Sequence, residues 1–369
     1  MRVALVHDWL TGFRGGEKVL LEFARLFPDA DLFTLIHVPG SVTPEIERLR
    51  ISASPLSRVP GAARHYRKLL PLFPWAVERF RLEGYDLVIS TSHSFAKGAR
   101  VPHGTPHLCY CFTPIRYAWD LADEYLGRGA RRLLAAPLLA YLRRWDRRTS
   151  SPARVTEVVA ISHAISDRVR RCWGRDASVV YPGVDVARFR GLETRPGDFY
   201  FMLGGFVPYK AEGLAIEAFR RLDRPLVIAG DGPTRASLQA GAPANVRFLG
   251  RVSDAELDDL YSRCRALVYP QLEDFGMIAV EAQAAGKPVI AFGRGGATET
   301  VVGPRDASGR TPSGVFFAEP TAESLAAAVQ EFEELEAKLD PQAIRLNAER
   351  FSLENFRAGI ARAIEGVLQ

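Results

Sequence analysis

The sequence predicts an α/β protein made of two tandem, doubly wound parallel-sheet domains facing an interdomain cleft. Short apolar runs alternate with longer helix-period segments from end to end, the βαβα rhythm of a parallel sheet covered by helices on both faces. The rhythm pauses once, at RFRGLETRPGD (188–198), a polar Gly/Pro-containing stretch that reads as a linker. The length of 369 residues is enough for two cores of ordinary size.

Strands are expected at 3–6, 31–36, 87–90, 107–112 and 155–161, with helices at 17–27, 64–80 and 131–147 between them. Beyond the linker, strands at 200–203, 226–229, 246–249, 266–269 and 289–292 alternate with helices at 212–222, 254–264 and 278–285. The tail 353–368 places Phe356, Ile360, Ile364 and Leu368 on one stripe and reads as an amphipathic helix. Sheets of this kind bind ligands at the carboxyl ends of their strands, which is why a cleft between two of them is the expected site.

Composition excludes several classes. Hydrophobic residues at 47% and charged residues at 25% are ordinary for a soluble domain. No run approaches the ~18 uncharged apolar residues of a membrane span. MRVALVHDWL reads as a first strand rather than a leader peptide, so a cytoplasmic location is expected, peripheral at the inner face of the membrane. Cys109, Cys111, Cys172 and Cys264 show no zinc-ligand spacing and read as reduced core thiols. Net charge is +5, divided into +11 over residues 1–190 and −6 over the rest. Nucleic-acid recognition motifs are absent, leaving an anionic lipid surface or a phosphorylated substrate as partners for the basic half.

Three motifs are suited to chemistry. In HDWLTGFRGGEK (7–18), a strand end is followed by Gly15 and Gly16 at a helix start, where free N–H groups and the dipole favour an anion. The spacing matches neither the dinucleotide nor the ATP fingerprint. In GGFVPYKAEG (204–213), Lys210 lies between a strand and a helix, where its ammonium can meet a phosphate. In EDFGMIAVE (273–281), Glu273 lies in a loop and Glu281 about one turn into the next helix, while the N–H groups of Gly276, Met277 and Ile278 offer a diphosphate seat. Carboxylates accept paired hydrogen bonds from vicinal hydroxyls, so Glu281 suits a ribose and Glu273 a sugar.

Taken in order, the Lys210 loop, AGDGP, FLGRVSDAELDDLYSRCRALVYP, the E-x7-E segment and GKPVIAFGRGGATETV resemble, over residues 200–302, the donor domain of glycosyltransferase family 4. The GGEK loop, ISTSHSFAKGAR and CYCFTPIRYAWD of the first half are similar to the bacterial branch that adds mannose-like sugars to lipid-linked oligosaccharides for surface polysaccharides. The resemblance implies the GT-B fold, with two Rossmann-like domains at 1–190 and 191–352 and the helix 353–369 packing back on the first. It implies a retaining, metal-independent hexosyltransferase moving a sugar, mannose from GDP-mannose, to a lipid-linked or oligosaccharide acceptor. Lys210 would neutralise the leaving diphosphate, Glu273 would contact donor-sugar hydroxyls, Glu281 would hold the ribose, and the Phe275–Gly276–Met277 backbone would meet sugar and phosphate. His93 and Arg116 are the acceptor-side candidates; no cofactor, metal or nucleic acid is expected.

Two positions depart from the family pattern. Gly205 stands where an arginine commonly completes an Arg–Lys clamp on the diphosphate, and Phe112 where a histidine often precedes Thr-Pro. A catalytically weakened GT-B protein that binds a sugar nucleotide or a partner enzyme is therefore the alternative. Asp29-Ala30-Asp31 spells a metal–nucleotide signature of another transferase class but precedes a strand far from the donor motifs. RHYRKLLPLFPW (64–75) and RRLLAAPLLAYLRRWDRR (131–148) mix basic residues with Leu and Trp, as an interfacial surface does.

Overall fold

Strands buried on both faces read as continuous apolar runs, and the runs identified above become strands of two all-parallel sheets, all of them central except 246–249, which forms an edge. The computed structural model describes residues 1–120, 130–195, 197–307 and 309–369. The chain divides into one unit of Met1–Tyr181 with Phe356–Gln369, and another of Pro182–Asn355.

The first unit holds β1 (Val3–Leu10), β2 (Asp31–His37), β3 (Arg50–Ala53), β4 (Leu87–Ser92), β5 (His107–Cys111), β6 (Glu157–Ala160) and β7 (Ser178–Val179), in the order β3-β2-β1-β4-β5-β6-β7. The second holds β8 (Tyr200–Gly204), β9 (Leu226–Gly230), β10 (Val246–Gly250), β11 (Leu267–Tyr269), β12 (Val289–Phe292) and β13 (Gly314–Phe317), in the order β10-β9-β8-β11-β12-β13. In each sheet the order reverses beside the first strand, between β1 and β4 and between β8 and β11. Loops leaving the carboxyl ends of these strands diverge there and open a crevice, the usual ligand position of a doubly wound sheet.

Amphipathic helices cover the sheets. Glu212–Leu222 buries Ala215, Ile216, Ala218 and Phe219, the i, i+3, i+4 stripe of a helix lying on a sheet. Met277–Ala284 is instead buried over most of its circumference, hence its small apolar residues. The tail helix Leu353–Leu368 sets Phe356 against Phe23 and Tyr110 in the first unit, at ring separations of 5.7 Å each. Arg357 adds an ion pair to Glu22 at 2.6 Å.

Some elements differ from expectation. The helix expected over 64–80 is broken into Ala62–His65, a 3-10 segment Tyr66–Leu72 and Phe73–Val77. Pro71 and Pro74 account for this, since each lacks an N–H and crowds the preceding turn. The boundary expected at 190/191 lies beyond the observed division after Tyr181. Val184 donates to Phe351 O at 2.8 Å and Phe189 stacks on Tyr261, which ties this segment to the second unit. Strands β3, β7 and β13 and the helices Ala322–Leu335 and Pro341–Glu349 are additional. No helix among the described residues is long and apolar enough to cross a membrane.

Candidate functional site

At the crevice of the second sheet, the loop after β8 carries Lys210 and the loop after β11 carries Glu273. The two side chains form an ion pair, each 19% exposed, so the pair is reachable from solvent. The Lys210 loop is held by Glu212, whose buried carboxylate accepts the Phe206 N–H at 2.7 Å. Burial raises the Glu212 pKa, only partly offset by backbone N–H groups and the nearby Lys210. Phe206 and Ala211 take left-handed backbone at φ 43° and 58°, so this loop carries backbone strain. A Cβ placed on Gly205 would meet open space.

The Glu273 loop is fixed from below and behind. The Gly296 N–H donates to Glu273 O at 2.8 Å, and a Cβ on Gly296 would lie 2.4 Å from the Phe275 Cα, so the two loops touch main chain to main chain. Gly276 begins the helix Met277–Ala284 at φ 93°, and a Cβ there would lie 2.7 Å from the Tyr269 hydroxyl. Only glycine satisfies both demands. Phe275 is buried against Phe351 at 5.5 Å, so its side chain anchors the loop.

Glu281 is 7% exposed, on the buried side of the same helix. Its neighbours are Tyr261 and Arg188. Burial first, then the Glu281 carboxylate, drive the Tyr261 phenol well above its usual pKa. Arg188 in turn pairs with Asp258 at 2.6 Å. Glu273 and Glu281 thus have different settings: one faces the accessible lysine, the other a buried tyrosine and a guanidinium.

The first unit presents a second cluster at its own crevice. Asp8, fully buried, accepts four main-chain N–H groups from the loop after β4: His93 at 2.7 Å, Ser94 at 3.0 Å, Phe95 at 2.5 Å and Ala96 at 2.9 Å. The His93 ring, 29% exposed, lies 3.2 Å from the same carboxylate and 6.3 Å from Phe112. Burial lowers the His93 pKa despite Asp8. His7 is buried with Nδ1 2.8 Å from the Thr91 hydroxyl and Nε2 3.9 Å from Glu17. Glu17 also accepts the Arg14 N–H at 2.9 Å in the cap of the helix Gly15–Leu26. Burial opposes ionisation of Glu17, but His7 outweighs it and the pKa is lowered.

Gly15 and Gly16 open that helix, and a Cβ on Gly16 would lie 3.8 Å from the His7 ring and 3.9 Å from Phe112. Gly16, Phe112 and His93 therefore cluster around the buried His7, with Arg116 at the start of the helix Arg116–Trp119 that follows. Sequence reasoning singled out Gly15, Gly16, His93 and Arg116 but not His7, Asp8, Glu17 or Thr91. The available signal was the His-Asp pair inside an otherwise apolar strand, since a polar pair on a buried strand demands partners.

Asp31 of the Asp-Ala-Asp sequence is held by Arg50 and Tyr85. Burial and the Asp31 carboxylate push the Tyr85 phenol up to about 12.

Residues 13–188 match the family described as Glycosyltransferase Family 4, and residues 186–350 match Glycosyl transferases group 1. An uncharacterized glycosyltransferase of Methanocaldococcus jannaschii is 32% identical over 40% of this chain and 42% of its own. The D-rhamnosyltransferase WbpZ of Pseudomonas aeruginosa is 35% identical over 30% of this chain and 31% of its own. These matches span less than half of either relative. Among solved structures, Anabaena HepE with UDP-glucose superposes at a TM-score of 0.71, with 17% identity, covering 99% of this chain and 100% of that one. WaaG, a glycosyltransferase involved in lipopolysaccharide biosynthesis, gives 0.69 with 16% identity over 99% and 100%.

Proposed function

We propose that the chain, whose residues 13–188 and 186–350 match Glycosyltransferase Family 4 and Glycosyl transferases group 1, is a GT-B glycosyltransferase that transfers a hexose from a nucleotide sugar with retention of anomeric configuration. The observation that carries this reading is the Lys210–Glu273 pair, reaching across the crevice of the second sheet beside the Gly276 helix start. The two charges satisfy each other across the crevice. A donor diphosphate takes over the ammonium, which stabilises charge developing on the leaving group. Glu273, released, accepts from sugar hydroxyls, and the backbone at Gly276 and Met277 faces the phosphates. Glu281, held beside Tyr261, orients the ribose.

Retention requires either a covalent intermediate on a carboxylate or front-face attack. Glu273 is paired to the lysine that the diphosphate needs, which favours front-face attack with the leaving phosphate assisting removal of the acceptor proton. No metal is required when Lys210 supplies the positive charge. The product anomer, read by NMR of the transferred sugar, tests this, and an inverted anomer would overturn it. Turnover unaffected by a chelator is the matching expectation.

For the finer assignment we propose GDP-mannose as donor and a lipid-linked oligosaccharide as acceptor. The D-rhamnosyltransferase relative fits transfer of a sugar, and the structural neighbour involved in lipopolysaccharide biosynthesis fits a surface-polysaccharide role. Thermal-shift comparison of GDP-, UDP- and ADP-sugars decides the base, since a donor binding the native state raises its stability by mass action; HepE is a UDP-glucose complex, so UDP-sugars are the serious competitor.

A cytoplasmic protein bound peripherally to the membrane fits the apolar face of helix Ala130–Thr149, where Leu134, Leu138 and Tyr141 are exposed. The side chains of residues 130–133 lie outside the described residues. Flotation with anionic liposomes tests it, and loss of flotation when Leu134 and Leu138 become serine is expected. Flotation independent of anionic lipid and of these residues would contradict it.

The alternative, a weakened binder, rests on Gly205 and Phe112. Against it, the His93 ring lies beside Phe112, near where the family's histidine is expected. Donor binding without turnover across donors and acceptors would favour the alternative.

A further inference from the structure

The amino-terminal edge of the second sheet, opposite Lys210 and Glu273, contains a cavity of about 260 Å³. Lys287 and Pro288 lead into β12 on one side of it, and Arg265 precedes β11 on another. Lys287 is only 5% exposed. Its ammonium has three donors, yet among the described residues its one hydrogen bond is to the Arg195 carbonyl at 3.4 Å, long for such a bond. Arg195 and Arg265 line the same cavity, and Arg345 packs over Gly286 beside it. The acid in the wall, Glu336, is already held by Arg265 at 2.5 Å.

A buried ammonium short of acceptors is costly unless something supplies lone pairs. Of the guanidinium groups beside it, Arg265 is paired with Glu333 and Glu336 and Arg195 with Glu193, while Arg345 donates to the Leu192 and Ala285 carbonyls. Burial depresses the Lys287 pKa, and Arg345 depresses it further, against the opposing pull of Cys264 and Glu336. A small oxyanion would supply the acceptors that the ammonium lacks. We propose that this cavity is a second anion site, separate from the donor edge, in which Lys287, with Arg195 at the rim, takes inorganic phosphate or a phosphate monoester.

Calorimetry on the full chain at constant ionic strength, with inorganic phosphate, glycerol phosphate and a chloride control, tests this. Phosphate is expected to bind the wild type and to lose about tenfold in affinity in Lys287→Met, which keeps the apolar stem and removes the charge-assisted bonds. Arg195→Gln, on a side chain that is 65% exposed and paired with Glu193 on the surface, is expected to weaken phosphate by a smaller factor. Lys210→Met should leave this binding in place. Tighter binding of glycerol phosphate identifies the ligand as an ester, and tighter binding of phosphate as the free ion. No phosphate binding, or equal binding by wild type, Lys287→Met and Arg195→Gln, would overturn the proposal. Phosphate binding abolished by Lys210→Met alone would also overturn it, while leaving the donor reading intact.

Discussion

The two units build their crevices from different materials. The second uses a lysine and two glutamates on loops and one helix, with glycines letting main chains touch. The first uses a buried aspartate and histidines whose partners lie some eighty residues away. All seven histidines of the chain precede residue 182, so the second unit has none. Histidine charge is therefore confined to the first unit, while the second relies on lysine, arginine and carboxylates.

Removing the Asp8 carboxylate tests the first half of that contrast most severely. Asp8→Ala leaves four buried N–H groups without an acceptor, each worth about 1 kcal/mol or more, so a loss of about 4 kcal/mol is expected in denaturant unfolding of the first unit. An unchanged midpoint would show that water replaces the carboxylate and that the loop is not held by it.

Acid should separate the units next. His107, with Nδ1 2.9 Å from the Arg154 carbonyl and Nε2 2.8 Å from the Ser90 hydroxyl, is buried neutral, and burial lowers its pKa from 6.5 to about 4. The unfolded chain binds this proton first, so stability present above about pH 6.5 is lost as pH falls toward 4. The loss reaches about 3 kcal/mol, and His93 shifts in the same direction. His107→Gln should flatten the unfolding profile of the first unit over that range; a slope unchanged by the substitution would remove His107 from the account.

How much of this was legible in the sequence differs between the units for the same reason. Lys210, Glu273, Gly276 and Glu281 lie on two short segments, so spacing and helix period bring them near one sheet edge. Thr91 and Glu17 meet His7 only because β1 and β4 are neighbours and a helix caps the strand end, which no local pattern announces. Two of the three missed strands offer little apolar run, β3 as an exposed four-residue edge and β7 with two residues; β13 is a buried edge strand of only four residues. Proline explains the overcalled helix at 64–80, because apolar period persisted where backbone donors did not.

Glu281→Gln sharpens the division within the second unit. It should raise the donor KM about tenfold with a small change in kcat, as expected for a group that binds the ribose equally in ground and transition states. A fall in kcat with KM constant would move Glu281 into the chemistry. Gly205→Arg carries the smallest expected effect: its Cβ meets open space, so stability should stay within about 0.5 kcal/mol while donor affinity rises a few-fold. Donor affinity unchanged or reduced would show that Lys210 needs no cationic partner in this chain.

Lys210→Met tests the central claim most directly, by sugar transfer from the thermally selected nucleotide sugar under saturating donor. The account predicts a loss of about a thousandfold in kcat, the scale of removing one preorganised charge from a leaving group, with unfolding of the second unit little changed. Transfer at the wild-type rate would contradict the assignment of the Lys210–Glu273 pair to the donor diphosphate.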